Sequence, residues 1–235
     1  MKVGVLRVLF ASMLGAALVS TLLSARGPQT QAELDKRFVD AWVQQPRVNL
    51  GIPAGGAKVV IVKFNDWMCP GCKIWYQQLK PVLAKHQAAT PGAIKYVEKD
   101  FPWNAQCNPS IQQTIPGHES ACAAAVAVRL AAEKGKREAM AEWTYANQPQ
   151  TPAQREVMVE RVRAKVGELL GIRDFTAAYN ARLVDVKKDV SDGMAVQVRS
   201  TPTYFINGIR ASSSDGGTLP LHYVEVALEH ELKKK

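Results

Sequence analysis

The chain has 235 residues, 47% of them hydrophobic, and a formal net charge of +9. That length and apolar content suffice to bury a full core in one domain, so the four cysteines are not needed as a scaffold and each pair asks for its own explanation. The basic excess includes the terminal Lys233-Lys234-Lys235 and forms no Arg/Lys stripe interleaved with aromatics, which argues against a nucleic-acid partner.

In chain order, Lys2 and Arg7 precede an uncharged apolar run over residues 8–25, the layout of an export signal. Residues 1–25 are expected to be a signal peptide or a membrane anchor. A cut after Ala25 would put Leu23 where a small residue is preferred, and a run of about 18 residues is near the minimum for spanning a bilayer. These points favour an anchor, with the residues after Arg26 outside the cytoplasm. The expected location is therefore extracytoplasmic or periplasmic, either tethered to the inner membrane or released there if the signal is cleaved. Residues 26–57 read as a linker followed by a short amphipathic helix over 33–45, in which Leu34, Phe38, Ala41 and Trp42 recur at helical spacing.

Residues 58–64 are β-branched and mostly apolar, as in an interior strand. A helix is expected over 70–89, bent by Pro81, and a second strand over 94–100. Residues 119–198 are helical almost throughout, in segments over 121–134, 137–145, 152–166 and 174–198 separated by Gly135, Pro149 and Gly171. Strands at 203–206 and 209–212 then form a hairpin across Asn207-Gly208, the strongest short turn signal in the chain. A last helix covers 220–232. This order predicts an α/β thioredoxin fold over residues 58–235, with a large helical insertion over about 104–198 between the second strand and the final hairpin.

Cys69-Pro70-Gly71-Cys72 falls between the first strand and its helix. A cysteine at a helix start meets unpaired N–H groups and the positive end of the helix dipole, which favour the thiolate that attacks disulfides. Pro70 is tolerated at the first helical position, where its missing N–H would be unpaired anyway. Cys69 is the expected nucleophile, and Cys72, one turn on, the resolving thiol. A C-x-x-C is also half of a zinc site, but Cys107 and Cys122 are too far apart to form the second half. The histidines His86, His118, His222 and His230 share no metal-ligand spacing, so neither a metal nor another cofactor is expected. Thr201-Pro202 is expected to be a cis peptide facing the cysteines, with the Thr201 backbone beside the substrate; a plain proline opening an edge strand is the alternative.

The chain resembles the DsbA-like branch of the thioredoxin superfamily. The resemblance rests on Val60-Ile-Val-Lys-Phe-Asn-Asp66, Cys69-Pro-Gly-Cys72, Asp100-Phe-Pro-Trp103, the helical insertion and Thr201-Pro202. The second cysteine pair opening the insertion looks like thioredoxin-like proteins that accompany membrane enzymes of the vitamin K epoxide reductase type. The resemblance implies dithiol–disulfide exchange with exported proteins, and reoxidation by a quinone-linked membrane oxidoreductase of the vitamin K epoxide reductase or DsbB type. This chain departs from the family twice. Gly71 stands where the well-studied oxidase has histidine, which implies a milder oxidant. Lys63 stands where relatives commonly bury a carboxylic acid, so a buried Lys63 needs to be neutral or paired, with Glu98 or Asp100 as partner, and such a pair is expected to handle the proton of Cys72.

Cys107 and Cys122 are expected to bond in an oxidising compartment, closing a loop of about 15 residues for roughly 3 kcal/mol; an electron relay to the membrane partner is the other reading. Trp67 and Met68 are expected to rim a peptide-binding surface, and residues 212–217 to loop beside the site. Trp42, Trp75, Trp103 and Trp143 are expected in the core. Three functions remain open on sequence: a disulfide oxidase or isomerase, a thiol reductase, and a membrane-tethered chaperone or binding module with structural cysteines.

Overall fold

The computed structural model describes residues 29–212 and 217–234. The expected signal or anchor over residues 1–25 lies outside them. Among the described residues, no helix is long and apolar enough to cross a membrane.

The first helix, α1 (Gln31–Trp42), starts earlier than its apolar spacing suggests because Thr30 and Glu33 form a reciprocal capping box. Strands β1 (Val59–Asn65) and β2 (Ile94–Asp100) run parallel, paired from Val59–Ile94 to Asn65–Asp100. Between them α2 (Pro70–Ala89) continues through Pro81. Strand β3 (Thr203–Ile206) is antiparallel to β1, and β4 (Ile209–Arg210) to β3, which gives the sheet order β2-β1-β3-β4. The hairpin turn places Asn207 at φ 47° and Gly208 at φ 81°. Gly208 is also needed for space, since a Cβ there would lie 2.5 Å from the Val48 carbonyl oxygen. Helix α7 (Leu221–Lys233) closes the chain against α1.

Four helices separate β2 from β3: α3 (Ala121–Glu133), α4 (Arg137–Ala146), α5 (Pro152–Leu170) and α6 (Phe175–Ala195). Helix α3 is the hub of this unit, packing on α4, α5 and α6. Its alanines allow that close approach, and its first eight residues are all buried.

The sheet is covered on both faces. Val59 and Ile61 of β1 pack with Trp75 and Leu79 of α2 and Leu228 of α7, whereas Val62 and Phe64 pack with Phe101 and Val190 on the side of α6. Side chains alternate along a strand, so Lys63 shares the face of Val59 and Ile61 and points toward α2. Trp67, Met68 and Cys72 pack into the core of the helical unit. The cysteine motif therefore lies in the seam between sheet and helical unit. The fold is the thioredoxin arrangement with a helical insertion before the final hairpin.

Candidate active site

Cys69 is the N-cap of α2, with Pro70 in the first turn and no side-chain cap on the exposed N–H groups. Those groups and the helix dipole are thereby left for the sulfur. Both cysteines are free thiols, but their surroundings differ: Cys69 is half-buried and Cys72 has no exposed surface. The Cys69 thiol is brought down to about 6, chiefly by a hydrogen bond from Cys72 and also by the Cys72 backbone and the Thr201 side chain, against the opposing effects of burial and the Asp66 charge. The Cys72 thiol is pushed well up by burial, by its hydrogen bond to Cys69 and by the Cys69 charge; Lys63 works the other way. One thiol thus gives up its proton readily and its neighbour retains it.

The Thr201-Pro202 peptide is cis and faces this pair. Cys69 Sγ donates to the Thr201 carbonyl at 3.3 Å, and a Cβ on Gly71 would sit 3.4 Å from Pro202 Cδ and 3.6 Å from Cys69 Sγ. Trp103 Nε1 donates to Thr201 Oγ1 at 3.0 Å, which leaves the hydroxyl proton free to point at the Cys69 sulfur. Against the expectation of a core residue, Trp103 is half-buried and holds the wall of the site.

Lys63 has no exposed surface, and its Nζ lies 2.9 Å from Glu98 Oε1, with the Glu98 side chain 5% exposed. Of the two carboxylates on β2, Glu98 is the partner because it is directly paired with Lys63 across the parallel ladder. Asp100 lies two residues further along, opposite Asn65, and instead accepts from Trp67 Nε1 at 2.9 Å and Arg129 Nε at 2.5 Å. Burial pushes the Glu98 carboxyl up, but the charges of Lys63 and Arg137 outweigh it and hold the group below its ordinary value. Tyr145 completes the pocket, donating to Asn65 Oδ1 at 2.8 Å and standing 3.5 Å from Lys63 Nζ.

Trp67 and Met68 form no rim. They are 2% and 3% exposed, because the loop after β1 turns inward: the Trp67 ring packs on Tyr145, its Nε1 is bonded to Asp100, and the Arg137 guanidinium lies over it. Gln148 fastens the same loop, donating to the carbonyls of Trp67 and Cys69 at 3.0 Å each. Of the loop expected over 212–217, residues 213–216 lie outside the described residues. Ser212 is buried and bridges to Thr218, which accepts from Trp75 Nε1 at 2.6 Å.

Asp66, fully buried three residues before Cys69, has a larger part than its sequence position suggested. Its oxygens accept from Met68 N, Trp103 N and the His118 imidazole, each at 2.7 Å. His118 sits in the loop that the Cys107–Cys122 disulfide closes. Its participation is invisible to ligand-spacing rules; the one available signal is that a bond between those cysteines returns the intervening loop toward the site. Among the described residues, no group of three His, Cys, Asp or Glu side chains is arranged to hold a metal.

By its fold and by the placement of its dithiol, the molecule is of the thioredoxin class. It belongs to the thioredoxin family, whose family model, described as thioredoxin, matches residues 49–216. Solved structures of similar fold include oxidised BdbD from Bacillus subtilis, at 16% identity over 81% of this chain and 98% of that chain, with a TM-score of 0.53. A thioredoxin-like oxidoreductase from Silicibacter pomeroyi is 18% identical over 79% of this chain and 96% of that one, with a TM-score of 0.51. Alpha-DsbA1 from Wolbachia pipientis is 13% identical over 75% and 87%, with a TM-score of 0.55. At such identities the likeness is one of fold. No curated protein matches the sequence.

Alkylation of the reduced protein against pH reads the asymmetry of the two thiols. Cys69 is expected to react with a midpoint near pH 6 while Cys72 stays unmodified through pH 9 in the folded protein. A Cys69 midpoint near that of an ordinary thiol, about 8.5, would contradict the geometry.

Proposed function

We propose that the protein is a thiol–disulfide oxidoreductase that acts on exported proteins as a disulfide oxidase or isomerase. The asymmetry of the two thiols carries this reading: an activated, half-exposed Cys69 beside a buried Cys72 that keeps its proton. In the oxidising direction, a substrate thiolate attacks Cys69 Sγ of the Cys69–Cys72 disulfide. That bond breaks and Cys72 leaves as a thiolate that takes up a proton. A second substrate thiolate then attacks the substrate sulfur of the mixed disulfide, and Cys69 leaves as a thiolate. The substrate loses two electrons and the dithiol gains them. A stabilised Cys69 thiolate favours the reduced dithiol and hence an oxidising couple, which weighs against a reductase.

Cis-Pro202 and the Thr201 backbone form the wall along which an extended substrate segment lies beside Cys69. Turnover needs an oxidant, for which we propose a quinone-linked membrane oxidoreductase of the vitamin K epoxide reductase or DsbB type, in keeping with an extracytoplasmic location and an anchoring segment within residues 1–25. The Cys107–Cys122 disulfide is taken as structural.

The Lys63–Glu98 pair takes the place of the single buried acid of relatives and handles the proton of Cys72. A buried cation favours the Cys72 thiolate as it leaves, and Glu98 fixes the position of that cation. Lys63→Met is expected to raise the Cys72 midpoint by about one unit, to slow resolution of mixed disulfides roughly tenfold, and to cost about 3 kcal/mol on equilibrium unfolding, because among the described residues Glu98 then keeps only Arg137 as a charged partner. Unchanged pH dependence of Cys72 reactivity would remove the idea.

Replacing the resolving thiol tests the function itself. Cys72→Ser, incubated with an unfolded disulfide-bonded protein, is expected to accumulate a mixed disulfide through Cys69 that wild type resolves and Cys69→Ser does not form. No adduct, or equal adduct in Cys69→Ser, would sink the reading.

A further inference from the structure

We infer that His118 is a positioning residue for the dithiol, whose imidazolium neutralises the buried Asp66 carboxylate and so allows Cys69 to persist as a thiolate. The inference rests on the reading of Cys69 as the attacking sulfur.

The geometry begins with a problem that the active-site segment cannot solve alone. Asp66 has no exposed surface, lies three residues before Cys69, and by its charge opposes ionisation of that thiol. Cys69-Pro70-Gly71-Cys72 contains no cation. Among the described residues, two of the three donors on Asp66 are neutral backbone N–H groups, those of Met68 and Trp103. The third is His118 Nδ1, at 2.7 Å from Oδ2, on a side chain that is 13% exposed. Only this donor carries a compensating charge.

The backbone around His118 is fixed for the task. Its N–H donates to the Ile115 carbonyl at 2.9 Å, and its own carbonyl accepts from Ala121 N and Asn104 Nδ2 at 3.0 Å each. The Cys107–Cys122 bond closes the loop around it. The charged groups acting on the imidazole are Asp66 from the β1–α2 loop, Cys69 at the start of α2 and its neighbour Glu119, whose carboxylate is turned onto Gly117 N at 3.0 Å. Burial works against the imidazolium, but the hydrogen bond and charge of Asp66 outweigh it, with Cys69 and Glu119 adding to them, and hold the group above its ordinary value. The Cys69 thiol lies near 6 and the imidazole is held above its ordinary value, so thiolate and imidazolium each favour the other.

The test is a double-mutant cycle read by thiolate absorbance of the reduced protein. Asparagine can present an amide N–H where Nδ1 stood, so His118→Asn keeps the hydrogen bond and removes the charge. His118→Asn is expected to raise the Cys69 midpoint by about one unit, tenfold less thiolate below the midpoint, and to move the dithiol potential by about 30 mV toward reducing. On an Asp66→Asn background the same change is expected to have a clearly smaller effect, because the imidazole then lacks the carboxylate that holds its proton, whereas His118→Lys retains the low midpoint. An unshifted His118→Asn, or an equal shift without Asp66, overturns the inference while leaving the function standing if wild-type Cys69 titrates near 6. A wild-type Cys69 that titrates as an ordinary thiol overturns both. A measurement on the native chain needs no variant: coupling is reciprocal, so the His118 imidazole, followed by nuclear magnetic resonance, titrates higher in the reduced protein than in the oxidised one. Equal midpoints in the two states contradict the inference.

Discussion

The buried carboxylate of Asp66 is the constraint on which the arrangement around Cys69 depends. A charge without solvent costs several kcal/mol unless it is paired and hydrogen-bonded, and here its partners are drawn from three separate segments. Met68 belongs to the loop that enters α2, Trp103 to the loop that leaves β2, and His118 to the loop closed by the second disulfide. Satisfying one carboxylate therefore brings the three loops to the same place. Trp103 extends that order to Thr201, the other wall of the site.

Around this point the chain sorts its charges by depth. Lys63 and Glu98 are buried and paired across neighbouring parallel strands. Asp100, Arg129, Asp189 and Lys99 tie β2 to α3 and α6 further along the sheet. The helical insertion is thus more than a cover. It supplies Arg137 to Glu98, Tyr145 to Asn65 and Lys63, and Gln148 to the carbonyls of the active-site loop. The same seam makes the two cysteines unequal: Cys69 at the helix start is half-exposed, and Cys72 one turn deeper is enclosed by the insertion's core.

Much of this was legible in the chain because it is encoded locally. The β-branched run of β1, the helix start at Pro70 and the Asn207-Gly208 turn each carry their own signal, and their order is enough to specify the fold. The match of Lys63 with Glu98 was also within reach, since parallel strands of equal length leave few registers. What stayed hidden was the meeting of side chains distant in sequence. Trp67 and Met68 look like surface residues beside an exposed motif until α4 is placed against them. Trp103 looks like core until Thr201 stands opposite. His118 has no spacing relation to Asp66, and only the closed loop brings them together. Periodicity reports which face of an element is buried; it does not report what that face touches.

The central claim is that this environment stabilises the Cys69 thiolate enough to make the couple oxidising, yet without a cation inside the Cys-Pro-Gly-Cys segment itself. The direct measurement is the reduction potential of the Cys69/Cys72 pair in glutathione buffers. The account predicts a value between the strong periplasmic oxidant range, about −120 mV, and the thioredoxin value, about −270 mV, near the isomerase range of about −180 mV. A potential at or below the thioredoxin value would contradict it.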